Sequence, residues 1–142
     1  MRRSTLFLVV VGFLVAADAP QDEQMKLEGT YVLVSGEEKG EKVPEQTIKN
    51  SKLTFMGDKH TVKVGKETMI GTHKLDPAKK PAEIDVVDTE GPYKGKTLLG
   101  IYKLEGDQFT VCFPAPDKER PKEFTTKSGT GEILHTWKRE KK

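Results

Sequence analysis

The chain has 142 residues, with 24 Lys and Arg against 22 Asp and Glu, a formal charge of +2, and 35% hydrophobic and 7% aromatic residues. This length fits a single domain, and the near balance of charge excludes a strongly basic nucleic-acid binder and an acidic disordered tail.

The amino terminus reads as an export signal. Arg2 and Arg3 precede an apolar run from Leu6 to Val15, and the small residues Ala16, Ala17 and Ala19 follow. A charged start, a short apolar run and a small-residue end define a secretory signal over 1–19. The run is about half of the ~20 residues that a membrane span requires, so the mature chain is expected to carry no membrane span. Cleavage is expected after Ala17 or Ala19, the latter placing Pro20 just beyond the cut. Removing 1–19 takes out two Arg and one Asp and leaves 22 basic against 21 acidic residues. The expected location is periplasmic or secreted. Cys112 is the only cysteine, so no disulfide forms within the chain. In the context Val111-Cys112-Phe113 it reads as a small buried hydrophobe.

Residues 20–26 read as a polar leader ahead of one domain spanning 27–142. The first strand is expected over 27–34, rich in β-branched and aromatic residues. A Glu-, Lys- and Gly-rich loop over 35–50 carries a short helical turn near Glu45–Ile48. Strands follow at 51–56 and 60–64, at 67–75 and, after two prolines, at 82–87. A loop over 88–96 leads to strands at 97–104 and 108–113. A rigid loop over 114–121 precedes two final strands at 123–126 and 132–138. Gly57-Asp58, Gly65-Lys66 and Gly106-Asp107 are hairpin signals. No segment sustains a helical period.

Short strands joined by tight turns predict an all-β fold. A meander of this length leaves two open edges unless it closes. The expectation is therefore an antiparallel up-and-down barrel of about eight or nine strands, preferred over a sandwich. Period-2 geometry places Leu53 with Phe55, Val62 with Val64, Ile84 with Val86, Leu99 with Ile101 and Phe109 with Val111 on the inside. The lumen of such a barrel is either filled by side chains or holds one small ligand.

Four motifs carry a family resemblance: Leu27-x-Gly29-x-Tyr31; Leu75-Asp76-Pro77-x-Lys79-Lys80-Pro81-x-x-Ile84-Asp85; Gly100-Ile101-Tyr102-x-Leu104-x-Gly106-Asp107 followed by Val111-Cys112; and Arg120-Pro121-x-x-Phe124. In this order, over residues 26–138, they resemble a small lipocalin-like domain family abundant in planctomycete bacteria. The resemblance implies a lipocalin-like barrel and an exported protein, and it implies no activity. Lipocalin relatives usually place Gly-x-Trp on the first strand beneath a basic residue from the last. Here Gly29-Thr30-Tyr31 takes that place, with Arg139 or Lys138 as the basic partner and Trp137 as an indole from the other end of the chain.

The expected function is non-enzymatic binding of a small apolar or amphipathic ligand in the lumen, lined by Tyr31, Leu33, Phe55, Val64, Ile84, Ile101, Phe109 and Val111. The alternative is a filled core whose loops over 35–50, 88–96 and 114–122 bind an extracytoplasmic protein. An enzyme would need His60, His73, His135, Asp85 and Tyr102 to converge. The three histidines lack metal-ligand spacing and read as surface or rim residues, so neither a metal nor another cofactor is expected. Asp85 has outward parity, Asp76 reads as a turn residue, and Arg120 reads as a structural ion-pair partner over the barrel end. No phosphate-cradling loop or nucleophile motif is present, and aromatics are not interleaved with a basic stripe, so no catalysis and no nucleic-acid partner is expected.

Overall fold

In the computed structural model, residues 20–126 and 131–141 are described; the segment read as an export signal, 1–19, lies outside them. A helix, α1, covers 20–27. It is followed by β1 (Gly29–Glu38), β2 (Glu41–Lys42), a short helix α2 (Glu45–Lys49), β3 (Ser51–Met56), β4 (Lys59–Val64), β5 (Glu67–Asp76), β6 (Ala82–Glu90), β7 (Thr97–Glu105), β8 (Gln108–Phe113) and β9 (Ile133–Arg139). All strand pairings are antiparallel.

The sheet runs in chain order from β3 to β9 and closes through β1. β1 pairs with β3 over Gly29–Val32 and with β9 over Tyr31–Glu38. The result is the expected closed up-and-down barrel, with eight main strands and the short β2 appended to the far end of β1. Closure satisfies both edges of the sheet without a flanking element. A bulge between Leu33 and Ser35 turns Val34 out to solvent, where it is 51% exposed. Three hairpins turn on Gly57, Gly65 and Gly106, with φ of +59°, +62° and +62°. Glycine at the first loop position with this φ suits the twist of a two-residue hairpin.

Alternation sorts most strands as the sequence predicts. Leu53, Phe55, Ile84, Val86, Phe109 and Val111 are buried in one core cluster, with Val62 and Val64 packed against it. β7 departs from the expected parity. Leu98 and Tyr102 face the core, whereas Ile101, although 1% exposed, stands outside that cluster. Ile101 lies opposite Cys112, which in turn lies opposite Leu134, and this apolar row is on the outer wall. The 114–126 segment crosses it. The Cys112 thiol donates to the Thr125 carbonyl at 3.5 Å, and the Lys103 ammonium sits 5.1 Å from the Phe124 ring. Leu98, Leu99, Ile101 and Tyr102 are apolar on both parities, so alternation alone cannot choose a face for β7. Gly100 decides it. A Cβ there would approach the Phe113 ring to 2.5 Å, so the close packing of these two strands is possible only with glycine. Residues 123–126, expected as a strand, form no ladder, and β6 runs three residues beyond its expected end, to Glu90.

The expected polar leader is α1. Leu27 is fully buried at its end, while Met25 is 71% exposed. One buried position gives no helical period, which is why the sequence reads as unstructured. The helix is held by its last carbonyls, which have no partner within the helix. The Tyr31 hydroxyl donates to the Leu27 carbonyl at 2.7 Å, and Arg139 Nη2 donates to the Lys26 carbonyl at 2.7 Å. Arg139 Nη1 also donates to the Glu28 carbonyl at 2.9 Å, and its guanidinium lies 5.1 Å from the Tyr31 ring centre. Arg139, rather than Lys138, is therefore the basic residue that crosses the first-strand aromatic. A lysine has one point charge and no fork for two carbonyls. Arg139→Lys should lower the unfolding free energy by about 1–2 kcal/mol, measured by chemical denaturation, and should leave the barrel's far-ultraviolet signal intact.

Candidate functional site

Inside the barrel the side chains leave a cavity of about 100 Å³. Its wall is mostly apolar. Val62 and Val64 come from β4, Ile84 and Val86 from β6, Phe109 and Val111 from β8, and Trp137 from β9. Tyr93, from the loop after β6, and Ile133 complete the wall towards one end of the barrel. At the α1 end the interior is solid. Phe109 packs edge-on against Phe55 at 5.2 Å and lies 6.1 Å from Tyr31 and 5.9 Å from Tyr102. The Tyr102 hydroxyl donates to a Glu23 carboxyl oxygen of α1 at 2.9 Å. Burial pushes the Tyr31 phenol up to about 12, against the opposing pull of Arg139, and pushes the Tyr102 phenol up as well, with the Glu23 bond adding to the rise. Both rings are neutral plugs that tie the barrel floor to the helix.

Of the eight residues expected to line the lumen, Phe55, Val64, Ile84, Phe109 and Val111 border the cavity. Tyr31 and Leu33 are inside the barrel but belong to the packed core rather than to the cavity wall. Ile101 is on the outer wall, for the parity reason given above.

The polar residues differ most from expectation. All three histidines are buried: His60 is 5% exposed, His73 3% and His135 8%. His60 shares inward parity with Val62 and Val64, His73 with Leu75, and His135 with Trp137. The alternation that located the core therefore also located them. Asp88, placed by the sequence in a loop, is the next inward position of β6 after Ile84 and Val86 and is 4% exposed. His60 Nε2 lies 2.9 Å from Asp88 Oδ1, and His60 Nδ1 lies 3.2 Å from His73 Nδ1. One ring donates across that second contact and the other accepts. Gly71 makes this cluster possible. It faces Asp88 at a bulge, where a Cβ would come within 2.1 Å of the Val87 carbonyl oxygen and 2.8 Å of Asp88 Oδ1.

At the other side of the cavity His135 Nε2 lies 3.1 Å from Glu38 Oε2, and that hydrogen bond holds the Glu38 carboxyl below the usual range. Burial, then the nearby acids Glu38, Glu67 and Asp88, raise the Tyr93 phenol. The remaining candidates stand elsewhere. Asp85 points outward, as expected, and pairs with Arg120 Nη2 at 2.7 Å. Arg120 Nη1 also donates to the Gly100 carbonyl at 2.8 Å, so this arginine clamps the outer wall of β6 and β7 rather than the barrel end. The structure thus joins His60 and His73 to Asp88, and neither to Asp85, Tyr102 nor His135. Among the described residues no group of three ligating side chains converges for a metal ion.

No family model, no curated protein and no solved structure matches this chain. The functional reading therefore stands on the geometry.

His73 gives the site a pH signature. Burial first, then the neighbouring His60, depress its pKa to about 4, against smaller opposing effects of Asp58 and the Gly57 backbone. Its ordinary value is 6.5, so as pH falls the unfolded chain takes up this proton first. The contribution to stability is complete above pH 6.5 and is lost between about 6.5 and 4, amounting to up to ~3 kcal/mol. Denaturation at pH 7.5, 6 and 5 should show the wild type losing stability faster than His73→Leu across this window.

Proposed function

We propose that the protein is an exported, non-enzymatic binding module that takes a small ligand with an apolar body into the barrel lumen. The observation that carries this reading is the apolar cavity of about 100 Å³ inside a closed barrel. An eight-stranded barrel has an interior that side chains can fill. Here Val62, Val64, Val86 and Val111 occupy wall positions where longer side chains would close the space. Left empty, a void of this size forfeits about 2 kcal/mol, at roughly 24 cal/mol per Å³. A ligand recovers that loss, and apolar walls with few polar groups are typical of ligand cavities. The volume is well below the ~300 Å³ at which drug-sized sites begin. It points to molecules of about benzene's size or smaller, since an engineered apolar cavity of ~150 Å³ admits benzene. Export is supported by the charged start, the short apolar run and the small-residue end of residues 1–19.

Trp137 is the only tryptophan and borders the cavity, so its emission reports occupancy. Benzene should change the Trp137 emission and shift the methyl resonances of Val64, Val86 and Val111, with saturation in the millimolar range or below. Val111→Phe, which fills the lumen, should abolish both changes while the chain stays folded. Unchanged spectra in the wild type at saturating benzene would count against a lumen site.

A further inference from the structure

The cavity wall is apolar except at a few places, and one of those places is chemically incomplete. Asp88 borders the cavity and its side chain is 5% exposed. Its Oδ1 is held by His60 Nε2 at 2.9 Å. No donor from a described residue reaches its Oδ2, and unlike the two buried side-chain atoms left without a partner, His73 Nε2 and Arg139 Nε, this oxygen keeps some open surface. A carboxyl oxygen in an apolar enclosure without a donor is costly, and more so when the group is ionised. The fold goes to some length to keep it there. Gly71 gives up its side chain to make room for it, and His73 backs His60 from behind.

Among the described residues the wall carries no lysine or arginine to supply that donor. Three acids lie close to it, with Lys39 acting on one of them, Glu38. Glu38 is bonded to His135 on the opposite wall, and Glu38, Glu67 and Asp88 together act on Tyr93. Such a surround repels anions and concentrates cations. Tyr93, Phe113 and Trp137 add aromatic faces to the same wall, and an ammonium gains by lying over an aromatic face.

We propose that the lumen selects a small organic cation, a primary amine with an apolar body of a few carbons, whose N–H groups donate to the free Oδ2 of Asp88. This rests on the lumen being a binding site, and it gives that site a ligand class. The body lies against the valines and Phe109. The ammonium supplies the donor that the wall lacks, and no proton transfer or bond change is involved. A carboxylate of the same size would set two acceptors against each other, which excludes small acids. A neutral alcohol donates one hydrogen bond but brings no charge, so it ranks between the two.

Three probes of similar size, n-butylammonium, n-butanol and butyrate, separate these cases when titrated at pH 7.5 and constant ionic strength, with Trp137 emission and valine methyl shifts as readouts. The amine should bind at least tenfold tighter than the alcohol, and butyrate should not bind detectably. Asp88→Asn should erase the tenfold preference of amine over alcohol, and Val111→Phe should abolish binding of all three. The ranking in the wild type stands without the Asp88 variant if that variant does not fold. Equal affinity for amine and alcohol, or butyrate binding as tightly as the amine, overturns the cation preference while leaving the lumen as a site. A folded Asp88→Asn protein that keeps the preference also overturns it. If benzene binds and none of the three probes does, the cation proposal fails alone; if benzene also fails, the binding reading fails with it.

Discussion

β1 hydrogen-bonds to β3 along its first residues and to β9 along nearly its whole length, and this double use of one strand converts a nine-element meander into a barrel. Every inward position follows from that closure, because it fixes which parity of each strand faces the lumen. It also explains why Tyr31 and Arg139 meet. Tyr31 is directly opposite Arg139 in the ladder, so the first and last strands meet where the guanidinium can cross the ring and reach the last carbonyls of α1. One arginine thereby joins the seam of the barrel to the helix that covers its floor.

The two ends of the barrel are consequently unequal. At the floor Leu27, Tyr31, Tyr102 and Phe109 fill the interior, and their polar atoms are committed to α1. Farther along, Val62, Val64, Val86 and Val111 stand on the wall and the interior opens. Apart from the Tyr93 phenol, which comes from the loop after β6, the polar groups of the cavity wall are inward-facing members of the same strands. They sit in a low-dielectric space where a missing partner carries a high cost, which is why the chemistry concentrates at Asp88.

The sequence made the barrel legible because alternation in β3, β4, β6 and β8 gathers the apolar residues on one parity, with Met56, Val87 and Cys112 as the exceptions. It failed where both parities are apolar, as in β7, since the outer wall there is covered by the 114–126 segment, and a covering of that kind leaves no periodic trace. It failed at α1 because a helix held by Leu27 and by carbonyl contacts from distant strands has no apolar stripe. His60, His73 and Asp88 were readable in principle, since each continues an inward series. Composition argued otherwise: histidine and aspartate are usually taken for surface residues, and Asp88 stands just before a Gly- and Pro-containing loop. Their meeting depends on barrel tilt and on Gly71 facing Asp88, neither of which local spacing encodes. Five of the eight expected lining residues border the cavity because parity selects the face.

The central claim is that the lumen is an open apolar site rather than a packed core. A crystal structure determined under xenon pressure tests it most directly, because xenon enters dry apolar cavities. The account predicts xenon density inside the barrel in van der Waals contact with Phe109, Val111 and Trp137. A lumen free of xenon, with side chains meeting across the space between β4 and β8, would contradict it.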